Sequence, residues 1–332
     1  MKGKIPFASF FNLKSLCRSN PHPKNQEEGM LRKILILLIG VIFCFVFIFY
    51  STEKIYAQEE PGIKSRLRVP DANSVQIITL TDGSKIIGRI VNIGENDIEF
   101  KSDIGVMTIP VLKIVDIREV PASSIKKGTY WFPNANTTRL YFAPTGRMLK
   151  KGEGYFADYY IFFPMAAYGI TENISIGGGF SIIPFIDFGQ QIFYLTPKVG
   201  LKAAESLNLA AGALLVKIPD FDNGYSPLVG ILYGVATFGK EDLSFTAGFG
   251  YGFEGGDFAS KPMIMLGGEA RLTRRLSFVT ENWIFPGVDE PLISYGLRLF
   301  GEKMSVDLAF INIIGEGIIF PGFPYIDFVF NF

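Results

Sequence analysis

The chain has 332 residues, 48% of them hydrophobic, with Lys+Arg and Asp+Glu equal at 32 each, one His and two Cys. Cys17, His22 and Cys44 all precede residue 58. Beyond that point the chain cannot build a Ser-His-Asp triad, a thiol nucleophile or a zinc site of nitrogen and sulfur ligands, and no basic face offers itself to nucleic acid.

Residues 1–29 carry Lys2, Lys4, Lys14, Arg18 and Lys24 without apolar periodicity. They read as an upstream extension, with an organelle transit peptide as the alternative. Residues 30–57 show Arg32 and Lys33, an apolar run over 34–50, a short polar stretch and Ile55-Tyr56-Ala57. That is the three-part plan of a secretory signal peptide, with cleavage expected after Ala57. A retained membrane helix is the other reading, since about 17 apolar residues lies at the lower edge of what spans a bilayer. Cys44 stands between Phe43 and Phe45, where lipidation would need small neighbours. Removing residues 1–57 takes eight basic and three acidic side chains from totals of 32 and 32, leaving 24 and 29. The mature chain is therefore mildly acidic.

Residues 58–73, with Pro61, Pro70 and scattered charge, read as a flexible arm. Residues 74–120 predict five short strands at 75–80, 85–93, 97–100, 106–109 and 114–117. They are separated by Thr81-Asp82-Gly83, Gly94-Glu95-Asn96 and Asp103-Ile104-Gly105. A strand ending at Asp82-Gly83, a bent strand carrying Gly88 and a later closing strand resemble the Sm-like or SH3-like small barrels. The resemblance implies a curled five-stranded sheet over about 45 residues. The RNA binding of Sm-like rings is not carried over, because the basic Arg/Lys-Gly signature is missing. The module reads either as a periplasmic docking domain or as a folded spacer. Residues 121–136 are a linker, with the boundary near 125.

From 137 to 332 one unit recurs: an apolar strand, a tight polar turn, then an apolar residue, Ser or Asn, and a second strand. The turns precede Ile174-Ser175, Leu207-Asn208, Leu243-Ser244, Leu276-Ser277 and Met304-Ser305, at spacings of 33, 36, 33 and 28 residues. Membrane-crossing strands of about 9 to 11 residues, taken in pairs with their connections, consume about that length. Alternation is strict over 243–253, where Leu243, Phe245, Phe249, Tyr251 and Phe253 interleave with Ser244, Thr246, Gly248, Gly250 and Gly252. It recurs over 174–182, 195–202 and 264–273. Two strands per turn, a last strand at 325–332 and a first at 138–143 predict an all-β, transmembrane antiparallel barrel of about 12 strands. Ten or fourteen remain open if 137–164 is divided differently.

The last strand places Ile326, Phe328, Phe330 and Phe332 on one face and ends in phenylalanine. It resembles the C-terminal signal of outer-membrane barrel proteins, which implies Phe328, Phe330 and Phe332 as contacts for the barrel assembly machinery. Phe132-Pro133-Asn134, Pro144-Thr145-Gly146 and Tyr168-Gly169-Ile170-Thr171 resemble outer-membrane barrel proteins of Bacteroidota-type bacteria. That resemblance implies fold and location only: the outer membrane of a Gram-negative cell, with the small domain in the periplasm.

Parity directs Lys198, Lys202, Glu269, Arg271, Glu281, Arg298, Asp307, Asp327 and Asn331 into the lumen. Arg298 and Asp307 are expected about one pleat from direct opposition, within ion-pair reach. Such residues form either an internal salt-bridge network that fills the barrel or the lining of a mixed-charge pore. The inward Gly and Ser of 175–181 and 244–252 favour open space, although glycine also permits curvature. The expected function is a narrow channel or small-solute transporter. A structural component that docks a periplasmic or cell-wall partner through residues 74–120 is the alternative. An envelope enzyme is the third reading, disfavoured by the missing histidine. No catalytic residue, metal or cofactor is expected, and the expected surroundings are outer-membrane lipid rather than nucleic acid.

Overall fold

The computed structural model describes residues 62–219, 226–313 and 320–332. The readings of residues 1–29 and 30–57, and most of the connection at 219–224, lie outside them. The chain divides into a unit ending at Tyr130 and a second unit from Trp131 to Phe332.

The first unit is a five-stranded antiparallel sheet of β1 (Ser74–Leu80), β2 (Lys85–Ile93), β3 (Asp97–Ser102), β4 (Gly105–Pro110) and β5 (Ile114–Pro121), in the order β4-β3-β2-β1-β5. Period-two patterning turns Ile78, Ile90, Ile98, Phe100 and Ile117 into one core. Gly88 is required where β2 crosses β3, because a Cβ there would stand 2.6 Å from the Phe100 ring. At the first turn the Ser84 hydroxyl and amide both donate to Asp82, and they hold its carboxyl below the usual carboxylate range.

The arm before this sheet is structured from residue 62 onward, contrary to the expectation of flexibility. Helix α1 (Ile63–Arg66) lays Ile63 against the sheet core. The Arg89 guanidinium donates to the carbonyls of Pro70, Asp71 and Ala72, and the Gln76 amide donates to that of Arg68. The linker expected at 121–136 is also corrected. Its middle folds as a short hairpin of β6 (Ile125–Lys126) and β7 (Thr129–Tyr130), and Phe132, Asn134, Ala135 and Asn136 are buried.

The second unit is a closed antiparallel barrel. Its staves in chain order begin with β8 (Gly154–Tyr159), β9 (Phe163–Thr171) and β10 (Ile174–Phe180). The third connection is followed by a broken stave of β11 (Phe193–Leu195) and β12 (Lys198–Ala204). Next come β13 (Leu207–Lys217), β14 (Leu228–Lys240) and β15 (Leu243–Glu254), which the short β16 (Asp257–Phe258) extends. The series ends with β17 (Met263–Thr273), β18 (Leu276–Ile284), β19 (Leu292–Phe300), β20 (Met304–Ile313) and β21 (Phe323–Asn331). Each pairs with its successor, and β21 returns to β8. Counting β11 and β12 as one stave gives the twelve strands expected.

Pro197 explains the broken stave: it has no N–H to give the ladder, and bonds of Thr196 with Gly177 and of Ala213 with Pro197 carry the pairing across the gap. All five predicted turns lie at one end of the cylinder, called here the turn end. The chain also enters and ends there, since Gly154 and Phe332 exchange backbone hydrogen bonds.

Outward positions are large and apolar on nearly every stave. Leu243, Phe245, Phe249, Leu266, Leu297 and Leu308 are all exposed, and Phe330 and Phe332 continue that surface at the last strand. Inward positions at the same levels include many Ser, Thr, Gly and charged residues, among them Ser244, Thr246, Glu269, Arg298 and Asp307, beside a smaller apolar set such as Val235, Met265 and Val279. A water-soluble cylinder would have the opposite distribution, because exposing so much apolar surface to water opposes folding by about 25 cal/mol per Å². Among the described residues no helix is long and apolar enough to cross a membrane.

Candidate functional site in the barrel lumen

The segment expected as the first strand, 138–143, is not a stave; β8 takes that place. Residues 131–150 instead thread the interior of the cylinder. A tight reversal folds the segment on itself: Leu140 N donates to Ala143 O, Thr145 N to Thr138 O, and Arg139 bridges Pro144. Its tip, Leu140, Tyr141 and Ala143, forms the centre of the lumen core with Ala210, Val235, Met265, Val279, Ala309 and Tyr325 of the wall. An irregular segment exposes N–H and C=O groups that a buried site must satisfy. The wall supplies those partners, largely through the charged residues that parity directs inward.

Arg298 is the principal one. Its Nε and Nη2 clasp both oxygens of Asp307 at 2.7 Å, and Nη1 reaches Glu269 at 3.0 Å. The remaining N–H groups donate to main-chain carbonyls of the segment, Nη1 to Asn136 and Nη2 to Leu140, each at 2.7 Å. A guanidinium has five N–H donors, and all five are used. Arg298 and Asp307 are direct cross-strand partners, closer than the one-pleat offset expected. Glu269 also accepts from the Asn134 side chain at 2.6 Å.

Glu281 binds the tip from the opposite sense of charge. One of its oxygens accepts the main-chain N–H groups of Tyr141, Phe142 and Ala143 at 2.8, 3.0 and 2.9 Å. The other accepts Trp283 Nε1 at 2.7 Å. Successive N–H groups converging on one anion form a nest; here the segment provides the nest and the barrel provides the anion. Exchanging Glu281 for Gln keeps the shape and removes the charge. Because charge-assisted bonds are worth about 1.5–3 kcal/mol each against about 1 for neutral ones, the Glu281→Gln barrel is expected to lose protection of the Tyr141, Phe142 and Ala143 amides first. Hydrogen exchange read by mass spectrometry checks this, with protection of the β13–β15 amides as the internal control.

The remaining parity residues are placed as follows. Asp327 accepts from Arg139 at 2.8 Å and from the Tyr325 hydroxyl at 2.6 Å, and Arg139 stacks over Tyr159, 4.7 Å from its ring centre. Lys198 donates to the carbonyls of Arg147 at 2.6 Å and Thr138 at 3.2 Å. Asn331 donates to Ala135 O at 2.5 Å. Arg271 sits where the segment enters, donating to Phe132 O at 3.0 Å and lying over the rings of Trp131, Phe132 and Phe300. Lys202 differs: it is exposed at the turn end and pairs with Glu205 at 3.7 Å. It keeps the parity of Lys198 and Gly200 in the β12–β13 register, but it is the last such position before the turn and stands at the rim of the cylinder. Sequence reasoning missed Asn134, Asn136, Arg139, Tyr141 and Arg147, all buried on the segment.

The way back also lies against the wall. Gly146 passes so near β13 that a Cβ would stand 2.2 Å from the Asn208 carbonyl oxygen, and its N–H donates to Thr237 Oγ1. Arg147 then donates to Lys240 O at 2.8 Å. Entry beside Arg271 and exit beside Lys240 are both at the turn end, so the segment rises into the lumen and returns. Among the described residues no group of His, Cys, Asp and Glu side chains is arranged to hold a metal ion.

No family model and no curated protein matches the chain. Among solved structures it is similar to the NanC porin, at 8% identity over 54% of this chain and 97% of that one with a TM-score of 0.34. The KdgM porin gives 8% identity, 54% and 95% coverage and 0.35. Outer-membrane expressed OmpT of Vibrio cholerae gives 10% identity, 80% and 100% coverage and 0.30.

Proposed function

We propose that this protein is an outer-membrane β-barrel channel whose lumen is held shut by its own residues 131–150, and that displacing this segment opens it. The observation that carries the reading is the double clamp on the segment's main chain: Arg298 takes two of its carbonyls and Glu281 takes three of its N–H groups. Both clamps grip backbone, so they hold a position in the lumen that does not depend on the segment's side chains. In a planar bilayer the full chain is expected to stay closed, with brief steps of current when the segment slips. A steady large current from the intact chain would show that residues 131–150 do not block the path.

The membrane location rests on the outward apolar surface. An arginine at the lipid-facing midplane of a barrel costs about 2–4 kcal/mol. Leu308→Arg, at an outward position midway along β20, is therefore expected to lower the folding yield into liposomes and to lower the urea midpoint. Ser305→Arg is not an equivalent control, since Ser305 is buried inward; Lys303→Arg at the turn serves instead. Unchanged folding of Leu308→Arg would place that face in water. Phe328, Phe330 and Phe332 are read as the contacts for assembly.

A second reading is favoured by the packing of residues 131–150 against the lumen wall. The protein would be a structural component that docks a periplasmic or cell-wall partner through the Sm-like module at 74–120. Deleting that module would then abolish co-purification of the partner while the barrel stays heat-modifiable.

A further inference from the structure

The lumen changes character along its axis. The half nearest the turn end holds the charged groups and main chain described above. In the other half, the loop half, the inward positions include Tyr194, Leu214, Val216, Val229, Ile231 and Trp283, with Glu254 opposite Val229 at the rim. The ladders set Val216 between Tyr194 and Val229, and Leu214 opposite Ile231. These positions share the face of Tyr233, which packs on the lumen core with Trp283. Each is only partly buried, so these apolar surfaces are accessible from within the cylinder. Beside them β15 turns Gly248, Gly250 and Gly252 inward, and a Cβ at Gly250 would stand 2.8 Å from Ile231 Cγ2 and 3.4 Å from Tyr233 Cβ. The floor is the tip of the threaded segment, where Phe142 meets Tyr159 and Tyr325 with ring centres 5.8 and 4.7 Å away.

A barrel interior that only conducts ions is polar, whereas apolar and aromatic walls with few polar groups are the lining of a small-molecule site. The described connections at the loop end carry Asp187, Glu254, Asp257, Asp289 and Glu290 against Lys217 and Lys261. Their field disfavours the approach of anions.

We propose that the loop half of the lumen is a binding chamber for a small apolar molecule, aromatic or alkyl, that bears no negative charge, enters from the loop end and rests on the tip of residues 131–150. This rests on the barrel lying in lipid, as proposed above, but it does not require the segment ever to move.

The test uses the full chain in lipid nanodiscs, titrated calorimetrically with 1-naphthol, 1-naphthylmethylammonium and 1-naphthoate against protein-free discs of the same lipid. The neutral and cationic probes are expected to bind saturably, one per chain, and 1-naphthoate about tenfold or more weaker. Leu214→Trp and Ile231→Trp, which fill the chamber from two staves, are each expected to weaken 1-naphthol about tenfold or more. The outward Leu232→Trp is expected to leave it unchanged. Heats equal to those of protein-free discs overturn the proposal. Loss of binding in Leu232→Trp with retention in both lumen variants also overturns it, by moving the site to the lipid face. Equal binding of 1-naphthoate overturns the charge preference. A chain that fails to enter the discs at all counts against the barrel reading itself, and is seen before any titration.

Discussion

Deleting residues 134–147 is expected to convert a closed barrel into a conducting one. The deletion removes every main-chain group that Arg298, Glu281, Lys198 and Asn331 hold while leaving all staves from β8 to β21 intact. The cylinder does not need the segment for its own ladder, since β8 closes on β21 through five residue pairs. The charges left behind would face water, and Arg298 would keep its bidentate partner Asp307 on the adjacent strand. Planar-bilayer recording is expected to show long-lived steps from the deletion variant under conditions where the full chain is closed. The exposed lining would hold Glu269, Glu281, Asp307 and Asp327 against Lys198, Arg271 and Arg298, an excess of one carboxylate that predicts a mild preference for cations. A reversal potential measured in a salt gradient reads that preference. A deletion variant that is heat-modifiable yet silent would show that something other than residues 134–147 closes the path.

The barrel was legible because its two faces meet two solvents. Phe245, Phe249 and Leu266 must be apolar where lipid would touch them, and Ser244, Thr246 and Glu269 must not be, so period two survives along β15 and β17. The same parity directs Lys198, Glu269, Arg271, Glu281, Arg298, Asp307, Asp327 and Asn331 inward from sequence. It could not say what they would bind, because a charge that grips a main chain looks the same in sequence as one that lines a pore.

The first stave was hidden for a related reason. β8 faces the threaded segment with Tyr155, Ala157 and Tyr159, so its inward side is apolar too and the alternation vanishes. Residues 137–143, Thr-Thr-Arg-Leu-Tyr-Phe-Ala, have strand-like composition, and their β-branched and aromatic content suits a lumen core as well as it suits a ladder. The clue lies in the density of Asn134, Asn136, Arg139 and Arg147 around Pro133, Pro144 and Gly146. That run supplies more hydrogen-bonding side chains and chain-breaking residues than a lipid-facing strand tolerates.

Replacing Arg298 by Met is expected to be the most damaging single substitution in the barrel. The change leaves Asp307 and Glu269 without their cation and the carbonyls of Asn136 and Leu140 without a donor, all in a site where Arg298 and Asp307 have no exposed surface. Asp307 also lies directly across from Asp327, so the loss of Arg298 sets two carboxylates side by side, and the Arg139 guanidinium and Tyr325 hydroxyl that remain both bind Asp327. Breaking a buried pair from one side costs about 3–5 kcal/mol, whereas replacing both partners with apolar residues is often close to neutral. Arg298→Met with Asp307→Leu is therefore expected to recover a large part of the loss in the wall. The same double variant does not restore the grip on Asn136 and Leu140. The two effects can be separated by measurement: the urea midpoint in liposomes should fall in Arg298→Met and rise again in the double variant, while both should show current through a loosened lumen. A double variant as unstable as the single one would mean that Arg298 acts chiefly by holding the threaded segment, and that the barrel's stability depends on that segment being in place.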